Sequence, residues 1–368
     1  MVKVSSPTVP DSARRSLTTA REWLGATTAR VLGPAGFDPA VWVPPPAPEP
    51  VGVLAVNHAL AAVEVIAGNC PGPESVAVAA DGSLYTGLAD GRIVQVAADG
   101  SSVRDVATAG RPLGMQVAPD GRLFVADARR GLIAVDPRTG EVTTLADHVD
   151  GAPINCADDL AVASDGTVFL SDASTKYPIE QYLTDLVEHR PNGRLLAHDL
   201  GTGTTKVLLD GLHFANGVTL SPDQDYLLVA ESGMYRVLRL WLQGPRAGQS
   251  EVFADNLPGG PDNITTSPDG LYWVALPGGP QSRATADPLM PHPLLRRALM
   301  RAPRPLRERF PKTGYVLALD PDGQITRTLQ DPTGSRYPFI TSVLEHEGML
   351  YLGSSDTHGI GVLPAPRH

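Results

Sequence analysis

The sequence predicts an all-β chain, a six-bladed β-propeller with four-stranded blades, and three observations carry that prediction. One unit recurs six times, each copy centres on an acidic turn, and the residues flanking each turn alternate apolar and polar with period two. The copies read ESVAVAADGSLYTG, GMQVAPDGRLFVAD, DLAVASDGTVFLSD, GVTLSPDQDYLLVAES, NITTSPDGLYWVAL and SVLEHEGMLYLGS, with turns at Asp81, Asp120, Asp165, Asp223, Asp269 and Glu347. Spacing between them runs from about 40 to nearly 80 residues, as expected where loops carry insertions.

Each Asp-Gly pair between alternating runs is a hairpin signal, because glycine accepts the positive φ of a tight turn. Further turns, AADG before Ser101, DPRTG before Glu141 and DPDG before Gln324, supply two more strands per unit. Four antiparallel strands make a blade, and six blades close into a ring with only short edges. The last unit has only IGVLPA after YLGSS, so its missing outer strand is expected to be VEVIAG, residues 63–68, locking the two ends of the chain together.

Two segments stand outside the repeats. Residues 11 to about 33 are expected to form a short amphipathic helix capped by Asp11 and stopped by Gly33, with a packing role. The Pro44–Pro50 run reads as an extended linker, which gives an extension over 1–50 and a propeller over 51–368. Connections between second and third strands return to the face where inner strands begin. The two longest, about 173–192 and 277–313, are therefore expected to roof that face as helical lids. The second holds PLMPHPLLRRALMRAPRPLRERFPK, read as a packed cap that also serves as a lid, with Leu294, Leu295, Leu299 and Met300 facing inward.

Composition bounds the function. With 37 Gly, 35 Pro, 42% hydrophobic and 19% charged residues, the chain is compact and turn-rich. A formal net charge of −10 argues against nucleic acid as a partner, because phosphate binding needs clustered cations. Cys70 and Cys156 are too few for a disulfide framework and wrongly spaced for zinc, so they read as free thiols. No apolar run is long enough to span a membrane and the start lacks the order of a secretory signal, so the expected location is the cytoplasm.

The chemistry is expected where the inner strands start. Aligned on the alternation that follows, the starts are Glu74-Ser75, Leu113-Gly114, Asp158-Asp159, Asn216-Gly217, Asp262-Asn263 and Thr341-Ser342. The leading residues of six inner strands converge near the axis, so Glu74, Asp158, Asn216 and Asp262 should meet. Three carboxylates in one place repel unless a cation or protons neutralise them. An all-oxygen set without Cys or His suits Ca²⁺ better than Zn²⁺. The alternative use of these residues is turn and cap formation. Asp159 and Asn263, one step further along, read as residues that orient the ligands. His358 in SSDTHGIG, His213 shortly before Asn216, Met115 on the second inner strand and Thr341 on the sixth are the candidate substrate contacts.

From about Gly72 to Leu363 the chain resembles the strictosidine synthase-like branch of the superfamily that also holds gluconolactonases, regucalcin and paraoxonases. The most specific stretch is FANGVTLSPDQDYLLVAESGMYRVLRLWLQGPRAGQSEVFADNLPGGPDNI. The resemblance implies that Glu74, Asn216 and Asp262 hold the catalytic metal, that Asp158 stands where an Asn is usual, and that Asp262 activates water or attacks directly. It also marks two departures. The glutamate of true strictosidine synthases falls at Thr341, and the paired histidines of paraoxonases fall at Leu113 and Ala128. The leading expectation is a calcium-dependent hydrolase of a small-molecule lactone or ester, with Asp262 and Asp158 as catalytic carboxylates. The alternatives are a cyclase or condensing enzyme of specialised metabolism, and a non-catalytic propeller stiffened by its metal and binding a partner through its lids. An exposed lid also suits a homodimer.

Overall fold

A computed structural model describes residues 36–307 and 309–366, and the helix expected over 11–33 lies outside the described residues. Six four-stranded antiparallel sheets form the ring. Their inner strands are Val76–Val78, Pro112–Val117, Ala157–Val162, Ala215–Leu220, Ile264–Thr266 and Ile340–His346, in blades one to six. The hairpin turns sit where the acidic pairs predict. In three of them the Asp side chain accepts a bond from the backbone two residues on: Asp81 from Ser83, Asp120 from Arg122 and Asp165 from Thr167. In the fourth blade Gln224 replaces glycine and still holds φ at +57°.

Closure follows the expected pairing. Glu64–Pro71 completes the last blade, with Glu64 opposite Val362 and Ile66 opposite Ile360. The Tyr337 hydroxyl donates to the Leu352 and Gly359 carbonyls at 3.0 and 2.7 Å, which fastens the closing blade.

Second strands such as Leu84–Gly87 and Leu123–Asp127 are buried on both faces. Successive side chains point to opposite sides of a sheet, so neighbours such as Leu84 and Tyr85 pack into different blade interfaces. Six apolar clusters result, one at each interface.

A second set of contacts circles the axis. Ser75 Oγ donates to the Leu113 carbonyl, Val162 N to Gln116 Oε1, Val218 N to Asp159 Oδ2, Gly217 N to the Asp262 carbonyl, Asn263 N to the Thr341 carbonyl, and Thr341 Oγ1 to the Glu74 carbonyl. Every neighbouring pair of blades is thereby tied at its inner strands, blades two and three toward the far ends of theirs and the others at or beside the strand starts.

The insertions leave the ring between second and third strands. The third-blade insertion carries α1 (Tyr182–Glu188) and the fifth-blade insertion carries α2 (Gly279–Ala286), α3 (Pro293–Arg301) and α4 (Arg304–Arg307). Among the described residues no helix is long and apolar enough to cross a membrane.

Candidate metal centre

Local geometry at the strand starts explains how six equivalent positions aim at one point. In blades two, three, four and six the ladder slips across Leu113-Gly114, Asp158-Asp159, Asn216-Gly217 and Thr341. A bulge bends its strand and re-aims one side chain, here the leading one, toward the axis. In blades one and five the ladder begins just after the pair, at Val76 and Ile264. Two glycines allow the close packing this requires. A Cβ on Gly114 would stand 2.2 Å from Asp159 Oδ1, and one on Gly217 would stand 2.4 Å from the Ile264 nitrogen.

Glu74, Asp158 and Asp262 converge, with one oxygen from each within 4.8 Å of the others. Glu74 and Asp158 are buried, Asp262 is half-buried, and buried Asn216 lines the same cavity floor. Asn263 Nδ2 donates to Glu74 Oε1 at 3.1 Å and fixes that carboxylate. Asp159 instead braces the next blade by accepting the Val218 amide at 2.9 Å.

The electrostatics of the group are unfavourable without a counter-ion. Burial first, then repulsion by neighbouring carboxylates, raises Asp158 and Asp262 well above the usual carboxyl range. Burial pushes Glu74 up to about 7 against the opposing pull of Arg111 and the Asn263 hydrogen bond. Asp159 is likewise pushed up to about 7 by burial. Glu74 Oε2 and Asn216 Oδ1 are buried with no hydrogen-bond partner. Close carboxylates with orphaned acceptor oxygens, free of Cys and His, fit a hard divalent cation.

These residues floor a cavity of about 560 Å³ roofed by both insertions. Its apolar wall includes Leu113, Leu183, Leu186, Phe214, Met290 and Phe339, and Thr341 lies at the floor. Thr341 commits its hydroxyl to the Glu74 carbonyl at 2.8 Å.

Three of the expected contacts lie elsewhere. Met115 is buried in the apolar interface of the first two blades, because the bulge at Leu113-Gly114 resets the alternation and sends Leu113 to the cavity in its place. His358 is exposed at the start of the strand paired with Pro71, while Ser355 and Asp356 reach the cavity. His213 stands behind the wall, bonded through its backbone and ring to Glu231. The roof also differs from expectation. Met300 is buried as expected and Leu299 is half-buried, but Leu294 and Leu295 are 80% and 53% exposed, and the inward partner of Met300 is Arg296, one turn earlier on α3.

Four functional candidates escape sequence reasoning. Arg111 lines the floor, its charge acts on Glu74 and Asp158, and its buried Nη1 has no hydrogen-bond partner. His189 lines the wall in a left-handed conformation at φ +55°, bonded through Nε2 to the Gly233 carbonyl. Burial, then the neighbouring His213, lowers its ring to about 4, so it is neutral near pH 7. Trp42 stacks on it at 4.1 Å between centroids. Arg296 is fully buried and donates to the Val187 carbonyl at the end of α1. No local pattern marks these residues, because each is placed by an insertion, a bulge or a distant segment.

Comparison with known proteins adds two kinds of likeness. The strictosidine synthase family model matches residues 158–245, and the strictosidine synthase-like N-terminal model matches residues 52–96. The human adipocyte plasma membrane-associated protein is 38% identical over 329 residues, covering 83% of this chain and 78% of that protein. Protein strictosidine synthase-like 7 of Arabidopsis thaliana is 36% identical over 294 residues, covering 78% of this chain and 77% of that protein. Among solved structures, a gluconolactonase from Xanthomonas campestris superposes with a TM-score of 0.60 at 19% identity, covering 84% of this chain and 94% of that one. A regucalcin from Agrobacterium tumefaciens, described as calcium-binding, gives 0.57 at 15%, covering 81% and 90%. At these identities the structural likeness bears on the fold.

Proposed function

This chain belongs to the strictosidine synthase-like family, and from that premise we propose that it is a calcium-dependent hydrolase of an ester or lactone. The observation that carries the reading is the set of three carboxylates within 4.8 Å under a roofed cavity, with Asn216 Oδ1 beside them unpartnered. Glu74, Asp158, Asn216 and Asp262 would hold the ion, leaving positions for water and substrate. A bound cation of this kind polarises a carbonyl and offsets the charge that develops on its oxygen.

The chain supplies the rest. Asp262 is the most open of the three carboxylates and is placed to take the proton of an attacking water. The water oxygen bonds to the acyl carbon, the ester C–O bond breaks, and the proton passes from Asp262 to the departing alkoxide. Arg111 Nη1 is free to donate to a substrate oxygen. The apolar wall excludes water and takes the acyl or alcohol body. The commitment of the Thr341 hydroxyl to the ring favours hydrolysis over condensation, since that position offers no acid or base.

A panel of aryl esters and lactones assayed with calcium and with chelator tests the reading. Turnover should require the metal and fall at least about 10²-fold in Asp262→Asn, the scale of losing a positioned base. Calcium binding without turnover of any panel member would overturn it and leave a metal-stiffened binding protein.

A further inference from the structure

The segment from Phe37 to Pro46, which overlaps only the start of the Pro44–Pro50 run read as a linker, is an extended strap laid across both lids. Phe37 and Pro39 are buried with Asp38 exposed between them, and past Ala40 the phase reverses, so that Val41 and Val43 are exposed and Trp42 between them turns into the cavity wall. On the third-blade lid, Asp38 N donates to Glu188 Oε1 at 2.5 Å and Ala40 N to the Glu188 carbonyl at 2.9 Å. Arg190 reaches the Asp38 carboxylate at 2.6 Å. On the fifth-blade lid, Arg297 donates to the Phe37 carbonyl at 2.8 Å, Arg296 donates to the Ala40 carbonyl, and Arg283 donates to the Pro45 carbonyl at 2.6 Å. Phe37 also packs with Val187 and Met300, so one side chain from the strap and one from each lid share a small core.

The acceptors on the strap are mostly backbone carbonyls of a chain that makes no sheet, and the arginines that claim two of them, Arg296 and Arg283, are essentially fully buried. Without the strap Arg296 keeps the Val187 carbonyl and Arg283 keeps the Asp287 carboxylate and the Leu257 carbonyl, but each loses one buried acceptor, so the strap favours the lids in this position. The strap also supplies a wall. Trp42 stacks on His189 at 4.1 Å and 18° and lies 5.5 Å from the Tyr235 ring, and all three line the cavity.

We propose that the segment from Phe37 to Pro46 is a latch that holds both lids over the carboxylate floor, and that Trp42 is a specificity-determining residue which sets the width of the cavity. The specificity part rests on the hydrolase reading, while the latch stands on contacts alone. Release of the strap then frees α1 and α3 together without disturbing the ring, since the six inter-blade bonds around the axis involve no residue of the strap.

Amide hydrogen exchange on the full chain decides the latch. In Phe37→Ala/Trp42→Ala, protection over 182–188 and 293–301 should fall at least tenfold, with the strand 226–231 unchanged within twofold and calcium affinity unchanged within twofold. Lids that keep their protection overturn the latch, and so does an equal loss in the 226–231 strand, which would make the strap part of the global fold. For specificity, Trp42→Ala should raise KM for 2-naphthyl acetate at least fivefold more than KM for ethyl acetate, with kcat for each within threefold, and Trp42→Phe should restore the ratio. Equal shifts for the two esters overturn it. If neither ester is turned over, exchange still decides the latch, and quenching of Trp42 fluorescence by 2-naphthol, lost in Trp42→Phe, decides the wall.

Discussion

The floor of the cavity is made of six strand starts that are copies of one another, whereas its roof is made of two insertions and a strap that each occur once. At the floor, Glu74, Asp158, Asn216, Asp262 and Thr341 occupy equivalent positions in five blades, and a bond between the inner strands of every neighbouring pair of blades holds the ring. At the roof, Glu188, Arg296 and Trp42 meet through contacts between segments more than 100 residues apart. Repetition makes a position rigid and also makes it comparable between copies. A single insertion has neither property, and it is free to set shape.

This contrast predicts that damage to the floor abolishes chemistry and damage to the roof alters selection. The largest effect is expected in Glu74→Gln. It removes a carboxylate from the centre and turns an acceptor oxygen into a donor facing the ion. Calcium binding by calorimetry and calcium-dependent turnover should both fall by about 10²-fold or more. Asp158→Asn sharpens the comparison within the floor. An amide oxygen still ligates and one repulsive charge is gone, so the metal-free protein should melt higher. Calcium affinity should fall about tenfold with turnover kept, and turnover lost in Asp158→Asn at saturating calcium would instead make Asp158 the base.

The floor also predicts a pH dependence tied to the metal. In the metal-free protein Glu74 is pushed up to about 7, and burial and mutual repulsion raise Asp158 and Asp262 well above the usual carboxyl range. The folded state then holds protons that the unfolded chain releases near pH 4, so metal-free stability falls as pH rises from about 4 through about 7. Calcium replaces those protons. Its stabilisation in scanning calorimetry should therefore be small near about pH 5 and several-fold larger near about pH 8. A calcium-induced shift independent of pH would show that the carboxylates are already ionised in the metal-free ring.

Repetition also separates what was legible in the sequence from what was not. The blades, the acidic turns and the closing strand could be read because alternation and turn chemistry are local, and the Asp223-Gln224 hairpin survives loss of its glycine because its flanking strands specify it. Glu74, Asp158 and Asp262 could be brought together on paper because one position in a repeat maps onto the next. The bulges could not be read. A single extra residue at Leu113-Gly114 flips the alternation, which is why Met115 faces a blade interface. Nor could the roof. Arg111, His189 and Trp42 acquire meaning only from partners far away in the chain, and the apolar spacing of α3 marks two faces equally well until Arg296 finds the Val187 carbonyl.

Within the roof, the polar anchors should outweigh the apolar surface. Glu188 is fully buried and joins Lys176 Nζ at 2.7 Å, Tyr177 OH at 3.0 Å and the Asp38 amide. Glu188→Ala leaves the buried Tyr177 hydroxyl and the Asp38 amide without their acceptor, at a cost of about 1–3 kcal/mol locally, while Lys176, 34% exposed, turns to solvent. Because the lids are outside the ring, the loss should appear as faster exchange over 182–188 with a smaller change in the global melting temperature.

The smallest effect is expected at Leu294 and Leu295. On sequence alone these are lid residues pointing at substrate, and their replacement should then damage binding. In the structure they lie on the solvent side of α3, 80% and 53% exposed, while Arg296 and Met300 face the interior. Surface substitutions away from packed or paired groups change stability by less than about 0.5 kcal/mol. Leu294→Ser/Leu295→Ser should therefore leave KM, kcat and the melting temperature essentially unchanged. A clear rise in KM with kcat intact would mean that α3 turns over when substrate binds, which would make the lid a moving part. A shift from dimer to monomer in sedimentation would mean that the exposed leucines are covered by a second copy of the chain, and would carry the contrast between floor and roof into the assembly.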